Sequence, residues 1–310
     1  MAIVIASQLQ NISVWAKAIQ NIDSVIEVLP FDKVSDPASV EFVLAWNQPE
    51  GIFENFPNLK TVSSMGAGID HLIKDKSIGP QVNIVRIIDP LLSQDMFEFV
   101  LATILTHLRM LPFYRENQFQ TVWKKKLYRR ISDVRVGIMG TGNIGAHVAR
   151  KLTDAGFSVT GWGRSAEKTP DGVKKYCGKE QLGEFLNSCN VLVALLPLTG
   201  ETQGILNYET LKLLPQGAMV INIGRGGLIV DGHLIQLLDE GHLDRACLDV
   251  FHQEPLPTDH PFWSHPGVFI TPHIASLTHP DSVAQQIVEN YYRTINNQPL
   301  INLANRSLEY

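Results

Sequence analysis

The sequence has 310 residues, of which 45% are hydrophobic and 18% are charged, a composition typical of a folded protein with a large core. This length suggests one large domain or two. The net charge of −5 gives no support for a nucleic-acid-binding protein, and no apolar run approaches the roughly 20 residues that a bilayer-spanning helix needs. We therefore expect neither a nucleic-acid partner nor a membrane partner.

The cysteines and the N-terminal segment indicate the compartment. Cys177, Cys189 and Cys247 form no C-x-x-C pair, and a sparse, odd set of cysteines is typical of a reducing environment. The sequence enters a strand-like apolar run at residue 3, with no basic region and no cleavage site before it. We expect a cytoplasmic protein.

Apolar runs of strand length alternate with helix-like stretches along the chain. We predict strands at residues 3–6, 42–45, 61–64, 83–87, 135–139, 157–162, 191–195, 219–223, 245–249 and 268–270. Near-continuous apolar strands that alternate with helices predict parallel sheets covered on both faces. The sequence therefore predicts an α/β protein.

Two helix-like stretches suggest how the chain is divided. One runs from about residue 94 to 111, and the other lies in the tail after residue 275. We predict two Rossmann-like or flavodoxin-like domains: residues 1–99 with 275–310 form a substrate domain, and residues 100–274 form an inserted dinucleotide-binding domain. Such an insertion leaves two crossovers and a cleft between the domains, a common place for ligands.

A glycine motif closes the strand at 135–139. Gly140, Gly142 and Gly145 form G-x-G-x-x-G, and a helix-like pattern follows them. Gly140 permits a tight turn, Gly142 lets a pyrophosphate approach the backbone, and Gly145 lets the helix pack close to the strand. A glycine-rich turn that binds nothing is the alternative, but the strand at 157–162 completes a βαβ unit. The motif predicts a dinucleotide site.

The end of the next strand distinguishes NADP(H) from NAD(H). An NAD-binding domain usually carries an acidic residue there, which accepts hydrogen bonds from the ribose 2′-OH. Gly163 occupies that position, and Arg164 and Ser165 follow it, offering donors to a 2′-phosphate. We predict a preference for NADP(H), with NAD(H) possible. Pro197 and Thr199 follow a later strand and either line the adenosine or form a plain turn.

Three polar residues follow strands in the same half of the chain. Arg225, Glu254 and His273 come after the strands at 219–223, 245–249 and 268–270. In an open α/β sheet, ligands bind at the carboxyl ends of strands. Arg225 suits a 2-keto acid as a carboxylate and carbonyl ligand, and His273 suits proton donation to the developing alkoxide. Glu254 would stabilise the imidazolium and keep His273 protonated near neutral pH.

Each of these residues also has an ordinary structural explanation. Arg225 can hold a turn, Glu254 can be a surface charge before a proline, and His273 can be a loop histidine. The three residues together, after the glycine motif, favour hydride transfer to a 2-keto acid, because the cofactor supplies the hydride and the protein binds and polarises the substrate.

Other clusters give weaker signals. Histidines are frequent between residues 252 and 279, but their spacing matches no metal motif, so we expect no metal site; they are His252, His260, His265, His273 and His279. In the first domain, Ala67 and Gly68 lie in a glycine-rich turn whose N–H groups suit a substrate carboxylate, although a structural turn looks the same. Trp46 either walls the substrate pocket or belongs to the core.

These motifs resemble the D-isomer-specific 2-hydroxyacid dehydrogenases over essentially the whole chain. The resemblance rests on the glycine motif and on four further stretches: Gly-Ala-Gly-Ile-Asp at 66–70, Ile-Gly-Arg-Gly-Gly at 223–227, Leu-Asp-Val-Phe at 248–251 with Glu-Pro at 254–255, and Thr-Pro-His-Ile-Ala at 271–275. Trp46 and the Trp-x-Arg-Ser stretch at 162–165 fit the NADPH-dependent glyoxylate/hydroxypyruvate reductase branch. Gly224 stands where many members carry alanine or serine.

The resemblance implies the fold, the reaction and residue roles. It implies NADPH-dependent reduction of glyoxylate to glycolate and of hydroxypyruvate to D-glycerate by a homodimer joined through the cofactor domain. Arg225 and Trp46 would contact the substrate, the amides of Ala67 and Gly68 would hold its carboxylate, and Glu254 with His273 would form the acid pair. The cofactor contacts would include Asn143, Ile144, Ile223, Arg225 and Asp249, the last at the nicotinamide carboxamide.

Two alternatives remain beside this prediction. One is a D-3-phosphoglycerate dehydrogenase or another D-2-hydroxyacid dehydrogenase, against which the Gly163-Arg164 pair argues. The other is a nucleotide-responsive scaffold without turnover, which would be expected to carry extended interaction tails. The pocket shape depends on loops such as 46–49 and on the region of Trp123, which could reach a partner's active site.

Overall fold

The computed structural model describes residues 2–8, 11–164 and 170–308. The chain divides into two compact units, one made of Met1–Leu91 with Thr278–Tyr310 and the other of Leu92–Leu277. The second unit is therefore inserted in the sequence of the first.

The first unit contains a parallel sheet. Its strands are β1 (Ala2–Ser7), β2 (Glu27–Pro30), β3 (Phe42–Trp46), β4 (Thr61–Ser64) and β5 (Asn83–Val85). They lie in the order β2-β1-β3-β4-β5, the flavodoxin-like order. The strand order reverses between β1 and β3, a point at which open α/β sheets commonly bind ligands beyond the strand ends. β1, β3 and β4 are buried almost throughout because helices and loops cover both faces.

The helices before residue 90 are α1 (Ile12–Ile22) and the single turn α2 (Asp70–Ile73). α1 begins where the Asn11 side chain accepts the N–H of Ser13 at 3.2 Å, an N-cap that satisfies one of the free donors of the first turn. Its buried face includes Trp15 and Ile19, which join the core of this unit.

The second unit contains helices on both sides of a longer parallel sheet. In chain order its elements are α3 (Pro90–Leu108), α4 (Leu111–Phe119), β6 (Arg135–Met139), α5 (Asn143–Asp154), β7 (Ser158–Gly163), β8 (Lys174–Cys177), α6 (Leu182–Ser188), β9 (Val191–Ala194), α7 (Tyr208–Leu211), β10 (Ala218–Asn222), α8 (Asp231–Asp239), β11 (Leu243–Leu248) and β12 (Val268–Ile270). The strand order is β12-β11-β10-β9-β6-β7-β8. From β8 to β11 this is the 3-2-1-4-5-6 order of dinucleotide-binding domains, with its reversal between β6 and β9.

The chain returns to the first unit in α9 (Pro280–Ile295), which starts with the proline that suits a first helical position. Val283, Ile287 and Tyr291 form part of its buried face. The Tyr291 ring meets Phe42 edge-on at a centroid distance of 5.9 Å. These three residues carry the helical pattern that the sequence predicted for the tail.

The units divide after Leu91 and Leu277, whereas the sequence predicts boundaries after residues 99 and 274. The difference at the first boundary arises because α3 belongs to the second unit almost from its start. Met96, Phe97 and Phe99 pack against the core of that unit. When a domain boundary falls within a continuous helix, the sequence carries no signal that marks the boundary residue.

Local differences have identifiable causes. The predicted helix at 94–111 is α3, which begins at Pro90 and ends at Leu108. Met110 then adopts a left-handed conformation (φ +58°), and the separate helix α4 begins at Leu111 with Pro112 in its first turn. The structure contains two strands, β2 and β8, that the sequence did not predict. β2 is nowhere fully buried, and β8 begins with two exposed lysines, so neither has the apolar run of the central strands.

Among the described helices, no single one is long and apolar enough to cross a membrane. α3 and α4 pass that test only as a pair, which is bent by 58° at the break between them.

Candidate active site

The glycine motif forms the turn between β6 and α5. Gly140 has φ +111°, a conformation that residues with a side chain rarely adopt. A β-carbon on Gly142 would meet no atom within 4 Å, so the backbone there is open to a ligand. A β-carbon on Gly145 would overlap the carbonyl oxygen of Gly140, so only glycine lets α5 lie this close to the turn. The three glycines have the properties that a pyrophosphate site requires.

The N-terminus of α5 faces this opening. Gly142 precedes the helix and carries no side chain that could cap it, and Asn143 and Ile144 lie in the first turn. A helix of this length presents unpaired N–H groups and a partial positive charge at its start. These residues therefore fit the diphosphate of a dinucleotide.

β7 ends at Gly163, where the acidic residue of an NAD-binding domain would stand. Arg164 follows as an exposed side chain, and its Nη2 lies 3.5 Å from Oε2 of Glu201. Nothing in the sequence singles out Glu201, which only the fold brings to Arg164. Ser165, the second predicted 2′-phosphate ligand, lies outside the described residues.

Glu201 belongs to the turn that follows β9. Thr202 Oγ1 donates to the Pro197 carbonyl at 2.7 Å and accepts the N–H of Thr199 at 2.8 Å. Thr199 is buried, so it helps to fix the turn. The predicted residues Pro197 and Thr199 thus hold the segment that carries Glu201.

The turn after β10 carries Arg225. Buried Asn222 fixes it, because its amide donates to the Arg225 carbonyl at 2.9 Å and its oxygen accepts the Gly224 N–H at 3.2 Å. The Arg225 guanidinium donates to the Gly224 carbonyl at 2.8 Å. The side chain of Ile223 lies in the hydrophobic core, so any contact it makes with a cofactor would use its backbone. Asn222 is a second residue that the sequence analysis missed, although a polar residue at the end of an apolar strand is a usable signal.

The segments after β10, β11 and β12 meet at one end of the sheet. A β-carbon on Gly226 would overlap the backbone of Phe251, so the turn of Arg225 touches the loop that follows β11. In that loop, Glu254 Oε1 accepts the N–H of Phe251 at 2.9 Å. Its other oxygen lies 2.7 Å from Nδ1 of His273, and both side chains are about one-third exposed.

Glu254 is held in its ionised form. Burial alone would raise the pKa of this carboxyl, but the hydrogen bonds from His273 and from the Phe251 N–H, with the charges of His273 and Arg225, outweigh burial and lower the pKa below its ordinary value. An ionised carboxylate accepts the Nδ1 proton, which assigns Nε2 of His273 as the ring atom left to meet a ligand.

Asp249 holds the segment that carries His273. It is 1% exposed and lies just beyond β11. Its Oδ1 accepts the Thr271 hydroxyl at 2.6 Å and the Ile274 N–H at 2.8 Å, and its Oδ2 accepts the Ala275 N–H at 2.9 Å. His273 itself has φ +55°, and its N–H donates to the Asp249 carbonyl at 2.8 Å. These bonds stabilise a backbone conformation that is uncommon outside glycine.

The predicted substrate residues of the first unit lie after β3 and β4. Trp46 ends β3, and its ring lies so close to Gly66 that a β-carbon there would come within 2.9 Å of it. The Ser64 hydroxyl donates to the Gly68 carbonyl at 2.8 Å and shapes the turn. Ala67 and Gly68 are partly exposed, and they stay predictions as carboxylate ligands.

Four of the five clustered histidines approach carboxylates. His273 pairs with Glu254, and His265 Nε2 lies 3.2 Å from Asp239. His252 and His260 both approach Asp231, which the sequence did not single out. In the described part of the chain, no group of three histidine, cysteine or acidic side chains could hold a metal ion.

A dinucleotide-type domain whose strand ends carry an arginine and a histidine–carboxylate pair defines an NAD(P)-dependent oxidoreductase. Residues 101–275 match the family described as D-isomer specific 2-hydroxyacid dehydrogenase, NAD binding domain. The chain belongs to this family.

Individual relatives extend the likeness to the whole chain. A glyoxylate/hydroxypyruvate reductase A of Serratia proteamaculans is 39% identical over 260 residues, which are 82% of this chain and 83% of the relative. A crystal structure of a D-isomer specific 2-hydroxyacid dehydrogenase from Xanthobacter autotrophicus Py2, in complex with NADPH and MES, has a TM-score of 0.93 at 38% identity and covers 100% of this chain and 99% of that one. The NADPH-dependent glyoxylate/hydroxypyruvate reductase of Sinorhizobium meliloti, with NADP and sulfate, has a TM-score of 0.92 at 32% identity and covers 100% of both chains.

The Asp249 contacts predict the effect of Asp249→Asn. An asparagine side chain has one oxygen and one N–H₂ group, so it would leave a buried backbone N–H unpaired, at a cost of about 1–3 kcal/mol. We expect the His273 segment to shift and kcat to fall roughly tenfold or more. Steady-state kinetics and coenzyme binding by fluorescence check this.

Thr271→Val is the matched control, since it removes one donor and leaves both backbone N–H bonds to Asp249. It should lose less activity than Asp249→Asn. A wild-type kcat in Asp249→Asn would contradict the positioning role, whereas weaker coenzyme binding at unchanged kcat would indicate a contact with the nicotinamide carboxamide instead.

Proposed function

We propose that the protein reduces glyoxylate and hydroxypyruvate with NADPH. The observation that carries the proposal is the 2.7 Å contact between His273 and Glu254 beside the Arg225 turn, in a chain whose relatives are named glyoxylate/hydroxypyruvate reductases. NADPH, when bound, supplies the hydride that reduces the keto group. The glycine turn and the start of α5 would hold its diphosphate.

The side chains of the second unit supply the remaining chemistry. Glu254 accepts a hydrogen bond from the Nδ1 N–H of His273, so the second N–H of the protonated ring, at Nε2, is the one that donates a proton to the substrate oxygen as it becomes a hydroxyl. Arg225 offers the planar set of donors that matches a carboxylate and polarises the neighbouring carbonyl. In the first unit, the Ala67 and Gly68 amides would hold the substrate carboxylate and Trp46 would contact the substrate.

The direct test is the initial rate of NADPH and NADH oxidation with glyoxylate, hydroxypyruvate, pyruvate and phosphohydroxypyruvate. We expect NADPH with glyoxylate and hydroxypyruvate to be turned over fastest, because the predicted site suits a short 2-keto acid. A preference for phosphohydroxypyruvate with NADH would favour a phosphoglycerate dehydrogenase. Coenzyme binding without turnover of any of the four would contradict the proposal.

The cofactor preference predicts opposite effects of two substitutions. Arg164→Ala removes the proposed partner of the 2′-phosphate and should raise the KM for NADPH about tenfold or more while changing the KM for NADH little. Glu201→Gln removes the negative charge 3.5 Å from the guanidinium, so it should lower the KM for NADPH. Equal changes for the two coenzymes would contradict the role of Arg164.

The acid pair predicts a lower kcat for Glu254→Gln. Without the carboxylate, no charged acceptor orients the Nδ1 N–H of His273, so Nε2 is less well aligned with the substrate oxygen. We expect kcat to fall roughly tenfold or more in steady-state assays, with the KM for NADPH little changed. Glu184→Gln, which changes an exposed partner of Lys174, is the control and should keep the wild-type kcat. A wild-type kcat in Glu254→Gln would exclude the proposed role.

We also propose that the protein is a homodimer that associates through α4 and the segment 120–130. Phe119, Trp123 and Leu127 come from one short stretch of the chain and are 69%, 95% and 98% exposed. Large apolar side chains that are exposed together often mark an interface. Sedimentation velocity should give a dimer for the wild type and a monomer for Trp123→Glu with Leu127→Glu. Val25→Glu, at a residue 87% exposed in the first unit, should remain dimeric. A monomeric wild type at micromolar concentration would refute this assembly.

A further inference from the structure

Residues 252–260 lie in the connection between β11 and β12. This segment carries Glu254 and has a histidine at each end, His252 and His260. His252 Nε2 lies 3.5 Å from Oδ1 of Asp231, and His260 Nε2 lies 3.4 Å from Oδ2 of the same carboxylate. Asp231 is the first residue of α8 and lies outside the loop. One carboxylate thus meets both ends of the loop 252–260.

The hydrogen bonds of the two rings assign their protons. His252 Nε2 lies 2.8 Å from the Ile229 carbonyl, which can only accept, so this nitrogen carries the proton. His260 Nδ1 accepts the N–H of Phe262 at 3.3 Å, which leaves the proton on Nε2, the atom that faces Asp231. The Nε2 N–H of His260 therefore faces the carboxylate, whereas that of His252 donates to the Ile229 carbonyl and lies beside the carboxylate at 3.5 Å.

Asp231 also lies close in sequence to the turn of Arg225. The five residues between them include Gly226, whose backbone touches Phe251, and Ile229, whose carbonyl meets His252. The segment 225–231 thus contacts the Glu254 loop at its start through backbone and at both histidines through Asp231. This segment therefore joins Arg225 to the loop that carries Glu254.

The Asp231 carboxyl is partly buried beside the two histidines. Burial raises the pKa of this carboxyl, and the charges of His252 and His260 with the hydrogen bond from His260 only partly offset burial. An acid with a raised folded-state pKa binds protons more tightly when folded, so its contribution to stability is lost as pH rises through that pKa.

We propose that Asp231 is a positioning residue that fixes the loop of Glu254 through His252 and His260 and so aligns Glu254 with His273. This inference rests on the proposed function, in which Glu254 and His273 form the acid pair. Asp231 does not itself touch the reacting atoms. The expected loss on its removal is in kcat, because Arg225 and the coenzyme site keep their own supports.

The test compares Asp231→Asn with Asp239→Asn. Asp239 is the last residue of the same helix and pairs at 3.2 Å with His265, which follows the segment 252–260 in the same connection. We expect Asp231→Asn to speed amide hydrogen exchange of a peptide covering 251–260 severalfold and to lower kcat roughly tenfold with the KM values little changed. Asp239→Asn should change none of these, and neither variant should lower the free energy of unfolding at pH 7 substantially.

A second pair of variants covers the case in which Asp231→Asn folds poorly. His252 is about half exposed, so its replacement should disturb the core little. His252→Leu removes the N–H donor, whereas His252→Gln keeps one. Leucine should reproduce the faster exchange and lower kcat, and glutamine should restore both in part.

The outcomes separate the two claims. Unchanged exchange and kcat in both Asp231→Asn and His252→Leu would overturn the role of Asp231. Faster loop exchange in a protein whose wild type reduces no keto acid would contradict the proposed function and leave the loop attachment supported.

Discussion

The buried carboxylate of Asp249 is the contact on which the geometry of the acid pair depends. A charge with 1% exposure is costly unless it is fully hydrogen-bonded, and this one accepts a hydroxyl and two backbone N–H groups from residues 271–275. Those bonds fix His273 in a left-handed conformation from which its ring reaches Glu254. Replacing the carboxylate should therefore shift the histidine, although the bonds of Asp249 go to the backbone and the Thr271 hydroxyl of this segment.

Parallel strands explain why so many polar groups collect here. The carboxyl ends of β10, β11 and β12 lie side by side, so the segments that follow them meet without long connections. Two glycines allow the backbone segments to approach closely. Gly226 lets the Arg225 turn touch the loop of Glu254, and Gly145 lets α5 pack against the glycine turn that follows β6. Carboxylates then hold the histidines, since Asp231 meets two of them and Glu254 a third.

The sequence predicted most of the frame and the polar residues that end its strands. Buried parallel strands are runs of apolar residues, and β4 and β12 begin and end at the predicted residues. The edge strands β2 and β8 were missed because their partly exposed residues give no such run. Glu201 and Asp231 were not predicted because their partners are distant in sequence. The fold places Glu201 beside Arg164 and Asp231 beside His252 and His260.

The most direct test of the account is the rate of NADPH-dependent glyoxylate reduction by His273→Gln, measured beside NADPH binding by fluorescence. Glutamine keeps a hydrogen-bonding group near Glu254 but cannot donate a proton as an imidazolium does. The account predicts wild-type NADPH affinity and a kcat lower by about 10²–10⁴-fold. Turnover close to that of the wild type would contradict it, because the proton would then come from another group.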